Sequence, residues 1–284
     1  MEGRVIAAHG RQYMVELPDG TRLPCFPRGK KSEIACGDRV DIQRTSEDQG
    51  VVEAIQPRSS LLYRSNEIRQ KLIAANVDQI VIVVATEPAF SDELVARALL
   101  AAESEEIAPL IVLNKCDLAD KLPAARARLA TLAALGYPIL ELSARDHAEE
   151  LRPCLAGKTS VLVGQSGMGK STLVNALIPE ANAATREISQ ALDSGKHTTT
   201  HATLYHLDAD SALIDSPGLQ EFGLGHLDRH EIENAFPEFR EYLGQCRFRD
   251  CQHDREPGCA LTAAVDSGQI DRNRFAIYRR IVGS

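Results

Sequence analysis

Over the first 60 residues, short apolar-rich runs at residues 3–8, 12–17, 22–26, 38–44 and 50–55 are separated by polar or Gly-containing breaks such as Pro18-Asp19-Gly20. Five short strands at this spacing predict a small barrel or sandwich. From Val77 the texture changes. Residues 78–85 form a nearly continuous β-branched run, the pattern of a strand buried on both faces. Helix-like stretches at 92–102, 124–135 and 171–177 then alternate with apolar strands at 109–113, 138–142, 159–163 and 212–214. That alternation implies a parallel sheet with helices over its faces. Internal repeats and low-complexity segments are absent.

A length of 284 residues suggests two or three domains, and 44% hydrophobic with 25% charged residues is ordinary globular composition. The longest apolar run, around residues 79–86, is less than half of what a membrane-spanning helix needs. The start, Met1-Glu2-Gly3-Arg4, lacks the charged end and apolar core of a signal peptide. A cytoplasmic protein without membrane contact is therefore expected. The net charge is −8, and residues 66–225 carry it, with 13 basic against 21 acidic side chains. Both ends are nearly neutral, so the chain has no general basic field. The positive loop Arg28-Gly29-Lys30-Lys31 reads, on charge alone, as a solvated turn.

Gly164-Gln165-Ser166-Gly167-Met168-Gly169-Lys170-Ser171 fits the P-loop pattern and lies between an apolar strand and a helix-forming stretch. Glycines let backbone N–H groups curl round a phosphate, and a helix N-terminus faces its charge. Lys170 is expected to reach the β- and γ-phosphates, Ser171 to hold Mg²⁺, and Thr172 to continue the nucleotide-binding stretch. A nucleoside triphosphate is the implied ligand.

Asn114-Lys115-Cys116-Asp117, at the end of an apolar strand, selects the base. A buried carboxylate at Asp117 can accept from N1–H and the exocyclic amino group of guanine, a donor pair that adenine lacks. Lys115 can lie along the base plane and Asn114 can tie this loop to the P-loop. Ser143-Ala144, also at a strand end, would bring a backbone N–H near the guanine carbonyl. Asp215-Ser216-Pro217-Gly218 follows another strand. There Asp215 is expected to hold Mg²⁺ through water and the Gly218 N–H to face the γ-phosphate. Between the two phosphate motifs lies Gly195-Lys196-His197-Thr198-Thr199-Thr200, from which Thr199 is expected to complete the Mg²⁺ shell. The base motifs precede the phosphate motifs, the reverse of the usual GTPase order. The order describes a circular permutation, tolerated because termini often lie close together. Its result is that the Asp-x-x-Gly switch leads straight into the C-terminal part of the chain.

Seven cysteines in a reduced compartment point to thiols or metal ligands rather than disulfides. Cys246, Cys251, His253 and Cys259 cluster as Cys-x4-Cys-x-His-x5-Cys, a Cys₃His set suited to one structural Zn²⁺ with no open position.

With these motifs the chain resembles the RsgA (YjeQ/EngC) family of ribosome small-subunit-dependent GTPases over essentially its whole length. The residues 57–62 linker and Arg64, residues 196–200 and residues 215–224 also look like that family. The resemblance implies a multidomain protein. An N-terminal OB-fold β-barrel (1–62) would precede a central α/β circularly permuted P-loop GTPase domain (63–225) and a small C-terminal zinc-knuckle domain with helices (226–284). It implies GTP/GDP, Mg²⁺ and one structural Zn²⁺ as cofactors. Hydrolysis would be stimulated by the small ribosomal subunit during its late maturation, with rRNA contact through the flanking domains by a monomer. Local clusters available for RNA are Arg28, Lys30 and Lys31; Arg247 and Arg249; and Arg272, Arg274, Arg279 and Arg280. The near-neutral ends predict weaker affinity for free RNA than a basic relative has.

The position after Asp-x-x-Gly, where many GTPases place a water-orienting glutamine, is Leu219. The resemblance suggests His197 as the water-positioning group. A solvent-facing switch histidine is the alternative, and Gln220 lies one position late. Intrinsic turnover is expected to be slow. Two other classes compete: a GTP-dependent enzyme whose cysteines handle substrate, and a binding module with a relic nucleotide site. Closed Cys₃His coordination opposes the first, and intact Lys170, Ser171, Thr199 and Asp215 oppose the second.

Overall fold

The computed structural model describes residues 1–29, 33–66, 69–181, 202–216 and 222–283. Five strands, β1 (Glu2–His9), β2 (Gln12–Glu16), β3 (Arg22–Pro27), β4 (Arg39–Arg44) and β5 (Gly50–Ile55), run in the order β1-β2-β3-β5-β4. Pairing of Glu2 with Asp41 and Arg4 with Arg39 joins β1 to β4 and closes the barrel, leaving no free edge within it. Val5, Tyr13, Val15, Leu23, Val40 and Val52 fill its interior. A bulge between Val5 and Ala7 turns both Ile6 and Ala7 outward, where they join the core of the rest of the molecule.

The residues 57–62 linker runs into an antiparallel hairpin that the sequence pattern did not predict, β6 (Leu61–Asn66) and β7 (Arg69–Ala75). The bridge Cys36↔Ala74 ties it back to the barrel. Next comes a sheet in the order β10-β9-β8-β11-β13-β12, built from β8 (Gln79–Ala85), β9 (Ala108–Asn114), β10 (Ile139–Glu141), β11 (Thr159–Val163), β12 (Thr203–His206) and β13 (Ala212–Asp215). All pairs are parallel except β12–β13. Every residue of β8 and β11 is buried, as the unbroken apolar run predicts for a sheet covered on both faces. The chain leaves β8 toward β9 and β10, then returns to β11 on the other side. This reversal makes a crevice at the carboxyl ends of these strands, where open α/β sheets hold ligands. One pairing, Ala7↔Thr203, carries the sheet through β12 into the barrel.

Helices α1 (Asp92–Ser104), α2 (Leu122–Ala134), α3 (Arg152–Leu155) and α4 (Lys170–Leu177) belong to the central unit. The helices Arg229–Asn234, Ala260–Asp266 and Arg272–Val282 form the C-terminal one. Phe236, Phe239 and Tyr278, all fully buried, are its nucleus; the two phenylalanine rings stack at 4.6 Å and Tyr278 meets them edge-on. The unit docks on α1 through Arg280–Glu93 (3.0 Å) and Arg240–Glu103 (2.7 Å). No helix among the described residues is long and apolar enough to cross a membrane.

Candidate functional site

Four loops leave the carboxyl ends of β9, β10, β11 and β13 and surround one cavity of about 610 Å³. That is a size ordinary for a small-molecule site. The residues 164–169 turn crosses closely over β8. Gly164 has φ +150°, and a Cβ there would lie 2.3 Å from the Val83 carbonyl oxygen. Gly169, at φ +96°, is the N-cap of α4, and a Cβ on it would lie 2.2 Å from Asn114 Nδ2. No side chain caps α4 and its first turn holds no acidic residue, so the helix presents free N–H groups and positive dipole to the cavity. Ser166, Gly167, Gly169, Lys170, Ser171 and Thr172 line the cavity. Lys170 Nζ donates to the carbonyls of Gly164 and Gln165, the latter at 2.9 Å. Burial lowers the Lys170 ammonium and Asp215 counters it; burial likewise raises the Asp215 carboxyl, countered by Lys170. Both groups line the cavity, near enough for each to feel the other's charge.

Asn114 is the hub that joins the loops. Its amide, 2% exposed, donates to Met168 O (2.8 Å) and accepts from the backbone N–H of Lys115 (2.7 Å) and Ala144 (2.8 Å). One side chain thus fixes the P-loop, the base loop and the Ser143-Ala144 loop together. Lys115, at φ +61°, lines the cavity, its Nζ donating to Gly167 O (2.8 Å) and Glu87 O (2.7 Å). Ser143 Oγ donates to Asp146 (3.1 Å), closing that loop on itself.

Several expectations are refined by this geometry. Asp117 lines the cavity but is exposed rather than buried. The Ala144 N–H is already taken by Asn114, and the next residue along, Arg145, lines the cavity with Leu118. Cys116 turns away to Leu113 O (3.1 Å), and Met168 packs into the core at 1% exposure. Gln165 accepts from Ser91 N (2.6 Å), the N-cap residue of α1, so it anchors that helix. His197, Thr199 and Gly218 lie outside the described residues.

The second cluster lies in the C-terminal unit. Ligand atoms of Cys246, Cys251, His253 and Cys259 all fall within 4.8 Å of one another. Cys246 and Cys259 Sγ are 4.0 Å apart, and His253 Nδ1 lies 3.6 and 3.3 Å from them. A tetrahedral ion with Zn–S of about 2.3 Å and Zn–N of about 2.0 Å sets such atoms roughly 3.5–3.8 Å apart. The four side chains therefore fit a zinc ion. The N–H groups of Ala260 and Thr262 donate to Cys246 (3.3 Å) and Cys259 (3.4 Å) Sγ, supporting thiolate charge. Sequence reasoning missed the partner behind His253, the buried Glu233, whose Oε1 is 3.5 Å from Nε2. Burial alone would raise that carboxyl, but hydrogen bonds from His253, Tyr278 and Arg229 outweigh it and hold it at about 2. Its ionised form fixes the tautomer that leaves Nδ1 free to ligate a metal among the cysteine sulfurs. Nothing local marks Glu233 among the acidic residues around it.

A family model described as RsgA GTPase matches residues 55–225. The chain belongs to the RsgA GTPase family. The small ribosomal subunit biogenesis GTPase RsgA of Burkholderia pseudomallei (strain K96243) is 58% identical, the match covering 99% of this chain and 91% of that one. The RsgA of Bordetella pertussis is also 58% identical, covering 99% and 95%. Among solved structures, YjeQ from Thermotoga maritima superposes with a TM-score of 0.73 at 32% identity, over 99% of this chain and 96% of that one. YloQ, described as a circularly permuted GTPase, does so with 0.70 at 28%, over 99% and 93%. As an RsgA-family GTPase the chain is a GTP hydrolase, with an OB-like five-stranded barrel ahead of a permuted nucleotide domain.

Proposed function

We propose that this GTPase hydrolyses GTP to GDP and phosphate when stimulated by the small ribosomal subunit, late in that subunit's maturation, as a checkpoint released by hydrolysis. The observation that carries the nucleotide reading is the Asn114 hub, which draws the P-loop, base loop and Ser143-Ala144 loop around one cavity. In that cavity Lys170 and the N-terminus of α4 take the phosphates. Asp117 reads guanine, with Lys115 along the base, and Ser171, Asp215 and Thr199 hold Mg²⁺, which would neutralise phosphate charge. With the Ala144 N–H engaged, the backbone donor left for the guanine carbonyl is that of Arg145. The relatives' names, small ribosomal subunit biogenesis GTPase, support the choice of partner. Contact with rRNA, a monomeric state and cytoplasmic residence belong to the same reading, as do boundaries at 62 and 225.

The water-positioning group is assigned to the switch, where the family resemblance suggests His197 as the candidate. A route out of the cavity supports the checkpoint role. Phe222 is buried beside Gly164 and Gln165, the Gly223 N–H donates to Tyr63 O (3.3 Å), and the His226 ring lies 4.8 Å from Tyr63. The segment after the Asp-x-x-Gly switch is thus anchored under the P-loop and against the hairpin before it enters the zinc unit. A change at the γ-phosphate has a short path to both flanking units. The test is affinity for purified small subunits with GDP against a non-hydrolysable GTP analogue; equal affinities would defeat the checkpoint.

A further inference from the structure

Two large apolar side chains stand exposed among the described residues, Met1 and Phe248. Met1 begins the chain. Phe248, 42% exposed, projects from the loop between the ligands Cys246 and Cys251. Its neighbours Arg247 and Arg249 are also exposed, and among the described residues neither is ion-paired. The loop is held firmly: Arg247 N donates to Gly258 O (3.0 Å) and Cys251 N to Phe248 O (3.4 Å). The Arg247 stem lies so close over Gly258 that a Cβ there would come within 2.9 Å of Arg247 Cβ. Its guanidinium sits 5.5 Å from the Phe248 ring centroid. A firmly held loop therefore carries an aromatic ring that stays 42% exposed, with a cation over one of its faces.

We propose that Phe248, with Arg247 and Arg249, is a stacking site for an unpaired RNA base. The chemistry is that of single-strand recognition, in which a base lies on an aromatic face and flanking guanidinium groups take the adjoining phosphates. A duplex keeps its bases inside and has nothing to offer a lone ring. A protein surface is the poorer fit, because Phe248 stands alone among the charged residues Arg247, Arg249 and Asp250 rather than in an apolar patch. The whole chain is acidic, so the attraction is local and salt-sensitive. The proposal rests on the ribosomal reading only for the source of the RNA.

The test is a titration of full-length, zinc-loaded protein with a labelled, unstructured oligoribonucleotide of about 12 nucleotides and with a duplex of the same length. Phe248→Ala is expected to weaken single-strand binding roughly 5- to 150-fold, Phe248→Trp to retain it, and duplex binding to change little. Arg247→Ala and Arg249→Ala should each lower the slope of log affinity against log salt by about 0.7, while Phe248→Ala leaves it unchanged. Unaltered zinc content and basal GTP turnover certify the fold, since these residues lie outside the cavity and the ligand set. No single-strand binding by wild type, equal binding by Phe248→Ala, or equal losses on single strand and duplex each overturn the proposal. So does a Phe248→Ala loss seen only with whole subunits, which would mark a protein contact. Subunit-stimulated turnover of wild type, measured in parallel, fails only if the ribosomal reading is wrong.

Discussion

Replacing Asn114 by alanine removes three hydrogen bonds at once: to Met168 O, and from Lys115 N and Ala144 N. Met168 and Ala144 are buried, at 1% and 4% exposure, so water cannot readily replace the lost partner at those two groups, whereas Lys115 is half-buried at the cavity. A buried polar group left unsatisfied costs about 1–3 kcal/mol, which gives about 2–6 kcal/mol for the two. Part of this cost falls on the fold and part on the cavity. If about 2–3 kcal/mol reaches the nucleotide, GDP affinity drops roughly 30- to 150-fold. Asn114→Asp keeps the shape and the Oδ1 that accepts both N–H groups but loses the donor to Met168 O, which isolates the tie to the P-loop. Gly169→Ala attacks the same contact from the other side, since its Cβ would meet Nδ2 at 2.2 Å with φ +96°. The double variant Asn114→Ala/Gly169→Ala should then lose much less than the sum of the single losses. Calorimetric titration with GDP, beside thermal melts with and without it, reads both effects. Wild-type GDP affinity in Asn114→Ala, or strict additivity in the pair, would refute the hub.

The same geometry carries three further outcomes. Asp117→Asn should cost guanine nucleotides at least about tenfold, through loss of a charged acceptor, and shift preference toward xanthine nucleotides in competition binding. Glu233→Gln keeps the volume but removes the charge behind His253, and should lower zinc affinity about 10- to 100-fold against a chromophoric chelator, with GDP binding intact. His226→Ala removes the ring resting on Tyr63 and should reduce subunit-stimulated turnover while leaving GDP affinity unchanged, as measured by phosphate release.

Wherever one local pattern decides structure, the sequence was a good guide. The β-branched run at β8, the glycines between β11 and α4, and the five barrel strands all lie within a residue or two of where spacing alone puts them. The motifs at residues 114–117, 143–144 and 164–171 are legible because each ends a strand, and parallel strands bring their ends together. What stayed hidden depends on distant partners. Thr203–His206 is a strand because it pairs with β13 and touches β1 at Ala7. The hairpin β6–β7, which follows the residues 57–62 linker, has no clear local signal and shows its place only with the barrel and the residues 222–227 segment against it. Glu233 is one acidic residue among many until folding sets it behind His253. Gln165 reads as a spacer of the P-loop, yet its side chain holds the start of α1, the helix on which the C-terminal unit docks.

In the proposed function a small-subunit partner completes this catalytic site. GTP turnover measured with and without purified small ribosomal subunits, with large subunits as the control, tests it most directly. Slow intrinsic hydrolysis is expected, with a rise on the order of 10³–10⁵ with small subunits, as activators of comparable GTPases give, and no rise with large ones. Turnover unchanged by small subunits, or raised equally by both, would contradict it.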